Sequence, residues 1–146
     1  MQSFIYILDN FVLPTRKYFL MKAKQKSKHV LLVEDNLLNQ KFAMAVLKMK
    51  GYTWDLAENG KIGVELFEKN EYEAILMDIQ MPIMNGIEAT IEIRKIESKN
   101  NWQRIKIIAV TAFAMPGDEE KFKEAGLDLY ISKPYTSNQL ISFIEL

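Results

Sequence analysis

The chain has no cysteine among its 146 residues. That absence removes disulfides, thiolate metal sites and a cysteine nucleophile together, and it fits a reducing cytoplasm. Histidine is nearly absent as well: His29 is the single one. No run approaches the roughly 18 apolar residues needed to cross a bilayer. The stretch Phe4 to Leu8 is apolar, but no basic residue precedes it and no clear small-residue cleavage site follows, so a secretory signal is not expected. Net charge is also lacking, at zero overall, but the charges are unevenly spread. Residues 1–28 carry Arg16, Lys17, Lys22, Lys24, Lys26 and Lys28 against Asp9 alone, leaving 13 basic and 18 acidic side chains in the remainder. An acidic body of this kind argues against nucleic-acid binding, which calls for a basic face.

What is present is an ordinary globular composition, 49% hydrophobic and 26% charged, in a length suited to one domain with its own core. From His29 onward, short apolar runs alternate with amphipathic stretches. His29–Val33 reads as a strand ending at Glu34-Asp35. A helix from about Leu37 to Lys50 carries Phe42, Ala43, Val46 and Leu47 on one face and stops at Gly51. Tyr52–Ala57 is a second strand, and Asn59-Gly60 opens a helix with Val64, Leu66 and Phe67. Ala74–Met77 is a third strand ending at Asp78, followed by a helix from Gly86 to about Ile96. Ile105–Val110 is a fourth strand ending at Thr111, with a helix over Asp118–Glu124. Leu127–Ile131 is a fifth strand beside Lys133-Pro134, and Ser137–Leu146 is a final helix.

Five strands apolar throughout, alternating with five helices, imply a parallel sheet covered on both faces, a doubly wound α/β fold. In such an open sheet the site lies beyond the carboxyl ends of the strands. Glu34, Asp35, Asp78, Thr111 and Lys133 all fall at strand ends, so four separated segments deliver polar groups to one edge. Converging carboxylates repel unless a cation intervenes. The oxygen donors suit Mg²⁺, and no nearby histidine or cysteine favours zinc. A hydroxyl at Thr111 and an ammonium at Lys133 complete a set suited to a phosphoryl group, with Asp78 as nucleophile and Glu34 and Asp35 placing the metal. Pro82 and Asn85-Gly86 shape the loop after Asp78, the latter pair as a turn with φ above zero. Proline after Lys133 pushes that lysine toward an extended conformation and makes the bond a candidate for cis.

On Val33-Glu34-Asp35-Asn36, the run Met77 to Gly86 containing Asp78, Val110-Thr111-Ala112 and Tyr130-Ile131-Ser132-Lys133-Pro134, the chain resembles the receiver domains of two-component response regulators. It is closest in style to those attached to hybrid histidine kinases. The resemblance covers about Lys28 to Leu146, four-fifths of the chain. It implies a flavodoxin-like sheet of order 2-1-3-4-5 and a domain over 29–146, preceded by a basic extension or linker over 1–28. It implies that Asp78 accepts phosphate from a histidine kinase or histidine phosphotransfer protein. Mg²⁺ would be held by Glu34, Asp35, Asp78 and the backbone carbonyl of Gln80. Thr111, the Ala112 backbone and Lys133 would contact phosphoryl oxygens. Thr111 and Tyr130 would form the switch, and Gln80 and Phe113 would set phosphate lifetime. A phosphorylation-dependent homodimer through the face around Tyr130 is a further partner it implies.

Other readings fare worse. An aspartate-nucleophile phosphohydrolase would carry a second aspartate two residues after the first, where this chain has Gln80. A flavin protein would need a Ser/Thr/Gly-rich loop after the first strand, where Glu34-Asp35-Asn36 would repel phosphate. A receiver serving only as a docking module would not need all five side chains. His29 lies at the far end of its strand, so a solvated or packing role is expected for it, and the chain is not itself a kinase or a histidine phosphotransfer domain. The eight methionines read as core filler. The segment Lys22 to Lys28 reads as a flexible solvated tail, with a linker or a weak membrane contact aided by Phe4, Ile5, Ile7 and Leu8 as alternatives. Met21 offers an alternative start.

Overall fold

The computed structural model describes residues 5–8, 11–14, 28–112 and 115–146. Its elements are β1 (Ile5–Leu8), β2 (Phe11–Pro14), β3 (His29–Val33), α1 (Leu37–Met49), β4 (Thr53–Ala57), α2 (Gly60–Lys69), β5 (Ala74–Asp78), α3 (Gly86–Asn100), β6 (Lys106–Thr111), α4 (Asp118–Ala125), β7 (Leu129–Ser132) and α5 (Ser137–Glu145). Strands β3 to β7 form one sheet of order β4-β3-β5-β6-β7, parallel throughout. Counted from His29 this is the expected 2-1-3-4-5 order with five helices. The first two strands form a separate antiparallel hairpin, Ile5 opposite Pro14 and Leu8 opposite Phe11. The expected extension over 1–28 therefore contains this hairpin, while Phe4 and residues 22–27 of the expected tail lie outside the described residues.

Strands buried on both faces need helices on both faces. Val30, Leu32, Leu76, Ile108 and Val110 point to one side, where Val46 and Leu47 of α1 and Leu140, Ile141 and Ile144 of α5 cover them. Leu31, Val33, Ile75, Met77, Ile107 and Ala109 point to the other and pack on Phe67 of α2, Ala89 and Ile93 of α3 and Phe122 of α4. Burying one such aliphatic side chain stabilises by about 1.5–3 kcal/mol. Helix starts other than that of α4, which follows Gly117, carry side-chain caps. Asn36 Oδ1 accepts from the amides of Leu38 and Asn39, and Asn85 with Glu88 and Thr136 with Gln139 form capping boxes.

Four expectations need correction. Phe42 is off the buried face of α1 at 44% exposure, tilted against Tyr135 at 5.5 Å. The buried stripe instead runs through Gln40, Ala43, Val46 and Leu47. Helix α3 continues past Ile96 to Asn100 because Glu97 is buried and paired rather than solvated. Methionine is not uniformly core filler: Met77 is buried, whereas Met49 and Met115 are exposed. Asn85-Gly86 is not a positive-φ turn, since Asn85 has φ −76° and caps α3. The left-handed residue in this loop is Ile83, at φ 71°.

The edge where the strands begin is held by ion pairs. Arg94 donates to Glu97 at 2.8 and 3.1 Å, to the Ile105 carbonyl at 2.9 Å, to the Gly126 carbonyl and to Asp128 at 2.9 Å. Glu97 and Asp128 in turn accept from the amides of Ile105 and Ile107. One guanidinium thus joins α3, the start of β6 and the turn before β7. His29 has a packing role, stacked on Tyr72 with ring centroids 5.2 Å apart and bonded to Thr53 and Asp55.

Candidate functional site

The opposite edge, where the strands end, collects the acidic groups. Strand β3 delivers Glu34 and Asp35, and β5, at the centre of the sheet, delivers Asp78. Carboxylate oxygens of all three lie within 4.8 Å of one another. Glu34 and Asp78 are 4% and 6% exposed, whereas Asp35 is open to solvent. Strand β6 ends at buried Thr111. Lys133 follows β7, its amide donating to the Thr111 carbonyl at 2.7 Å. From there its ammonium reaches Glu34 Oε2 at 2.7 Å and Asp78 Oδ2 at 3.5 Å. The Lys133-Pro134 bond is cis.

Burial is the chief cause that pushes the Asp78 carboxyl up, to about 7, and the charge of Glu34 adds to it; Lys133 opposes. Two buried carboxylates with one ammonium between them are short of positive charge. The exposed Asp35 carboxylate lies on the open side, beside a crevice of about 550 Å³ that Gln80, Met81 and Pro82 also line. An all-oxygen donor set, partly solvated and short of charge, fits Mg²⁺, which retains waters and takes few carboxylates.

Gln80 is exposed at the crevice, with its amide donating to Asp78 Oδ1 at 3.3 Å. Ala112 is exposed just beyond Thr111. Tyr130 is on β7, 39% exposed, with its ring tilted 6.1 Å from that of Phe122. Phe113 lies outside the described residues. The structure thus brings Glu34, Asp35, Asp78 and Lys133 together, with Thr111 and Gln80 adjoining and Tyr130 set outward on the neighbouring face.

Sequence reasoning missed several groups here. Gly86 is needed for space: a Cβ there would sit 2.1 Å from the Asp78 carbonyl oxygen. Tyr135 packs beside the acids, its hydroxyl pushed up to about 12 by burial and by Glu34 and Asp78. Asn39 and Gln40 both bond Glu34. The signal for Gln40 was a polar residue on the apolar stripe of α1.

The sheet order, the acid pair after its first strand and the aspartate-lysine pair across it define a phosphorylation-type signalling module. The pattern of the response regulator receiver domain matches residues 30–145, and the chain belongs to that family of two-component and phosphorelay domains. Hybrid signal transduction histidine kinase I of Dictyostelium discoideum is 45% identical over 120 residues, 79% of this chain and 7% of that protein. The chain spans only 5–10% of the length of this and three further hybrid kinases of that organism. Among solved structures, the receiver domain of a sensor histidine kinase from Pseudomonas aeruginosa, with magnesium coordinated in its active site cleft, is similar. It is 38% identical at a TM-score of 0.71, over 80% of this chain and 93% of that one. The co-crystal structure of the Saccharomyces cerevisiae histidine phosphotransfer protein Ypd1 with the receiver domain of its response regulator Ssk1 matches at 32% identity. Its TM-score is 0.75, over 80% of this chain and 85% of that one. No helix among the described residues is long and apolar enough to cross a membrane.

Proposed function

We propose that Asp78 is the phosphoacceptor, receiving a phosphoryl group from phosphohistidine on a histidine kinase or histidine phosphotransfer protein in the cytoplasm. The observation that carries this is the Lys133 ammonium between the Glu34 and Asp78 carboxylates, 2.7 and 3.5 Å away, at the one sheet edge where the three acids meet. Glu34, Asp35, Asp78 and the Gln80 backbone carbonyl would hold Mg²⁺. Such an ion would supply positive charge that offsets the phosphoryl oxygens and favours the ionised, nucleophilic form of Asp78. An Asp78 oxygen attacks phosphorus in line, and the bond to the donor's imidazole nitrogen breaks. The Lys133 ammonium, the Thr111 hydroxyl and the Ala112 amide then receive the transferred oxygens.

Engaging Thr111 draws that strand end toward the phosphoryl group and makes room for Tyr130 to turn inward, altering the face of α4, β7 and α5. Such coupling is worth about 1–3 kcal/mol. A phosphorylation-dependent homodimer would use that face. Gln80 and Phe113 flank the path of hydrolytic water and would tune phosphate lifetime. Residues 29–146 form the phosphorylated unit, and 1–28 are an extension or linker.

The test is intact mass after incubation with Mg²⁺ and acetyl phosphate, for wild type and Asp78→Asn. One added phosphate that requires Mg²⁺ and is absent from the variant supports the reading. No adduct at short times, together with no binding of beryllofluoride, refutes it and leaves a docking module.

A further inference from the structure

Glu34 is the most constrained acid in the site. Its amide donates to the Ala57 carbonyl at 2.9 Å, and its own carbonyl accepts the buried Gln40 amide group at 2.8 Å. With the backbone held on both sides, only the side-chain torsions remain free. They are set by three donors: the Asn36 amide and Asn39 Nδ2 on Oε1, at 3.0 and 3.3 Å, and Lys133 on Oε2, at 2.7 Å. The two carboxylate oxygens are therefore differently employed. One faces the first turn of α1 and the other faces the lysine. Lys133 is closer to Glu34 than to Asp78, so the orientation of the Glu34 carboxylate fixes where the ammonium stands over Asp78.

We infer that Asn39 is a positioning residue for this reaction. Together with the Asn36 backbone amide at 3.0 Å, its side-chain amide at 3.3 Å holds Glu34 Oε1 against α1, which keeps Oε2 turned to Lys133 and keeps the ammonium beside the oxygens of Asp78. Only the amide nitrogen can donate to a carboxylate, so the side chain has one useful orientation. Asn39 is in the first turn of its helix, where an acidic residue is favoured by the helix dipole. A purely structural role would thus be served as well or better by aspartate. The positioning role would be abolished by it, because an ionised Asp cannot donate and repels Glu34. The two roles predict opposite outcomes for Asn39→Asp.

The inference rests on the phosphoacceptor reading, and two measurements on the full chain separate the two. The first is the ¹H–¹⁵N signal of the Lys133 ammonium, assigned by its loss in Lys133→Arg, which needs neither metal nor phosphodonor. The second is the rate of phosphorylation by acetyl phosphate at saturating Mg²⁺. Asn39→Asp is expected to lose the held ammonium signal and be phosphorylated about 10–100-fold more slowly, as for other supporting partners of a site. An unchanged ammonium signal and rate would overturn the inference. If wild type takes no phosphate, the phosphoacceptor reading fails, and the ammonium signal alone decides whether Asn39 positions Lys133. Should Asn39→Asp not fold, Asn39→Ala decides by the same two readouts.

Discussion

Gly86→Ala puts the link between packing and site to a direct test. A Cβ at this position would lie 2.1 Å from the Asp78 carbonyl oxygen, 2.9 Å from its carbonyl carbon and 2.9 Å from Ile79 Cα. All three are backbone atoms at the end of the strand that presents Asp78 and just beyond it, so no rotamer change relieves the clash. The start of α3 must retreat by about 1 Å to restore van der Waals separation, and the 3.0 Å bond from the Gly86 amide to the Ile79 carbonyl is weakened with it. Overpacking of this kind costs about 1–3 kcal/mol and a lost hydrogen bond about 1 kcal/mol, for a total near 2–4 kcal/mol. In a unit of this size that lowers the melting temperature by roughly 8–15 °C. A displacement of about 1 Å at a reacting group can also cost about 10²-fold in rate. Thermal melting and single-turnover phosphorylation by acetyl phosphate measure the two effects. Gly51→Ala is the control, because Gly51 has φ +76° with nothing within 4 Å of the added Cβ. Its cost is backbone strain alone, about 1–2 kcal/mol, with no change in rate. A Gly86→Ala protein that melts within about 2 °C of wild type, less than the shift of even 1 kcal/mol, and is phosphorylated as fast would refute the reasoning.

Arg94→Met leaves Glu97, buried and paired with it at 2.8 Å, without its cation, and should cost about 3–5 kcal/mol in urea denaturation; Arg94→Lys should recover little, since a point charge cannot reach all four partners. Asp55 has its carboxyl held below the usual range, first by the Tyr72 hydroxyl and then by His29. The stability it contributes is therefore present above its unfolded pKa of about 3.9 and lost as pH falls through the lower folded value. The stability gap between wild type and Asp55→Asn should accordingly close below about pH 4, and a gap independent of pH would count against this assignment. Ile83 is a β-branched residue at φ 71° and 79% exposed, so Ile83→Asn should stabilise the fold by up to about 1 kcal/mol in thermal melts.

Much of the fold was legible because a parallel sheet covered on both faces writes each strand as an unbroken apolar run. Val30 to Val33 and Ile75 to Met77 have no other economical burial. The site residues were legible because each stands where such a run ends. Failures came where one residue type serves two purposes. Phe42 looks like a core residue but packs at the rim on Tyr135. Glu97 looks like a solvated helix residue but is buried against Arg94 and the Ile105 amide. Glycine after asparagine reads as a turn, whereas Gly86 answers a steric demand from Asp78, eight positions earlier in the chain. Asn39 and the partners of Arg94 could not be read at all. The bonds of Arg94 join segments as much as 34 residues apart through geometry that only the assembled sheet creates, and the bond of Asn39 joins the first turn of α1 to the residue after β3.

The guanidinium of Arg94 ties elements at the end of the sheet remote from Asp78. Among the described residues, this cross-tie and the acidic cluster thus stand at opposite poles of the sheet. The reactive pole is built tightly at Gly86 and Lys133, but its exposed rim positions Ile83 and Met115 can change without unseating the cross-tie at the other. Rim chemistry and anchoring are separable in such a molecule.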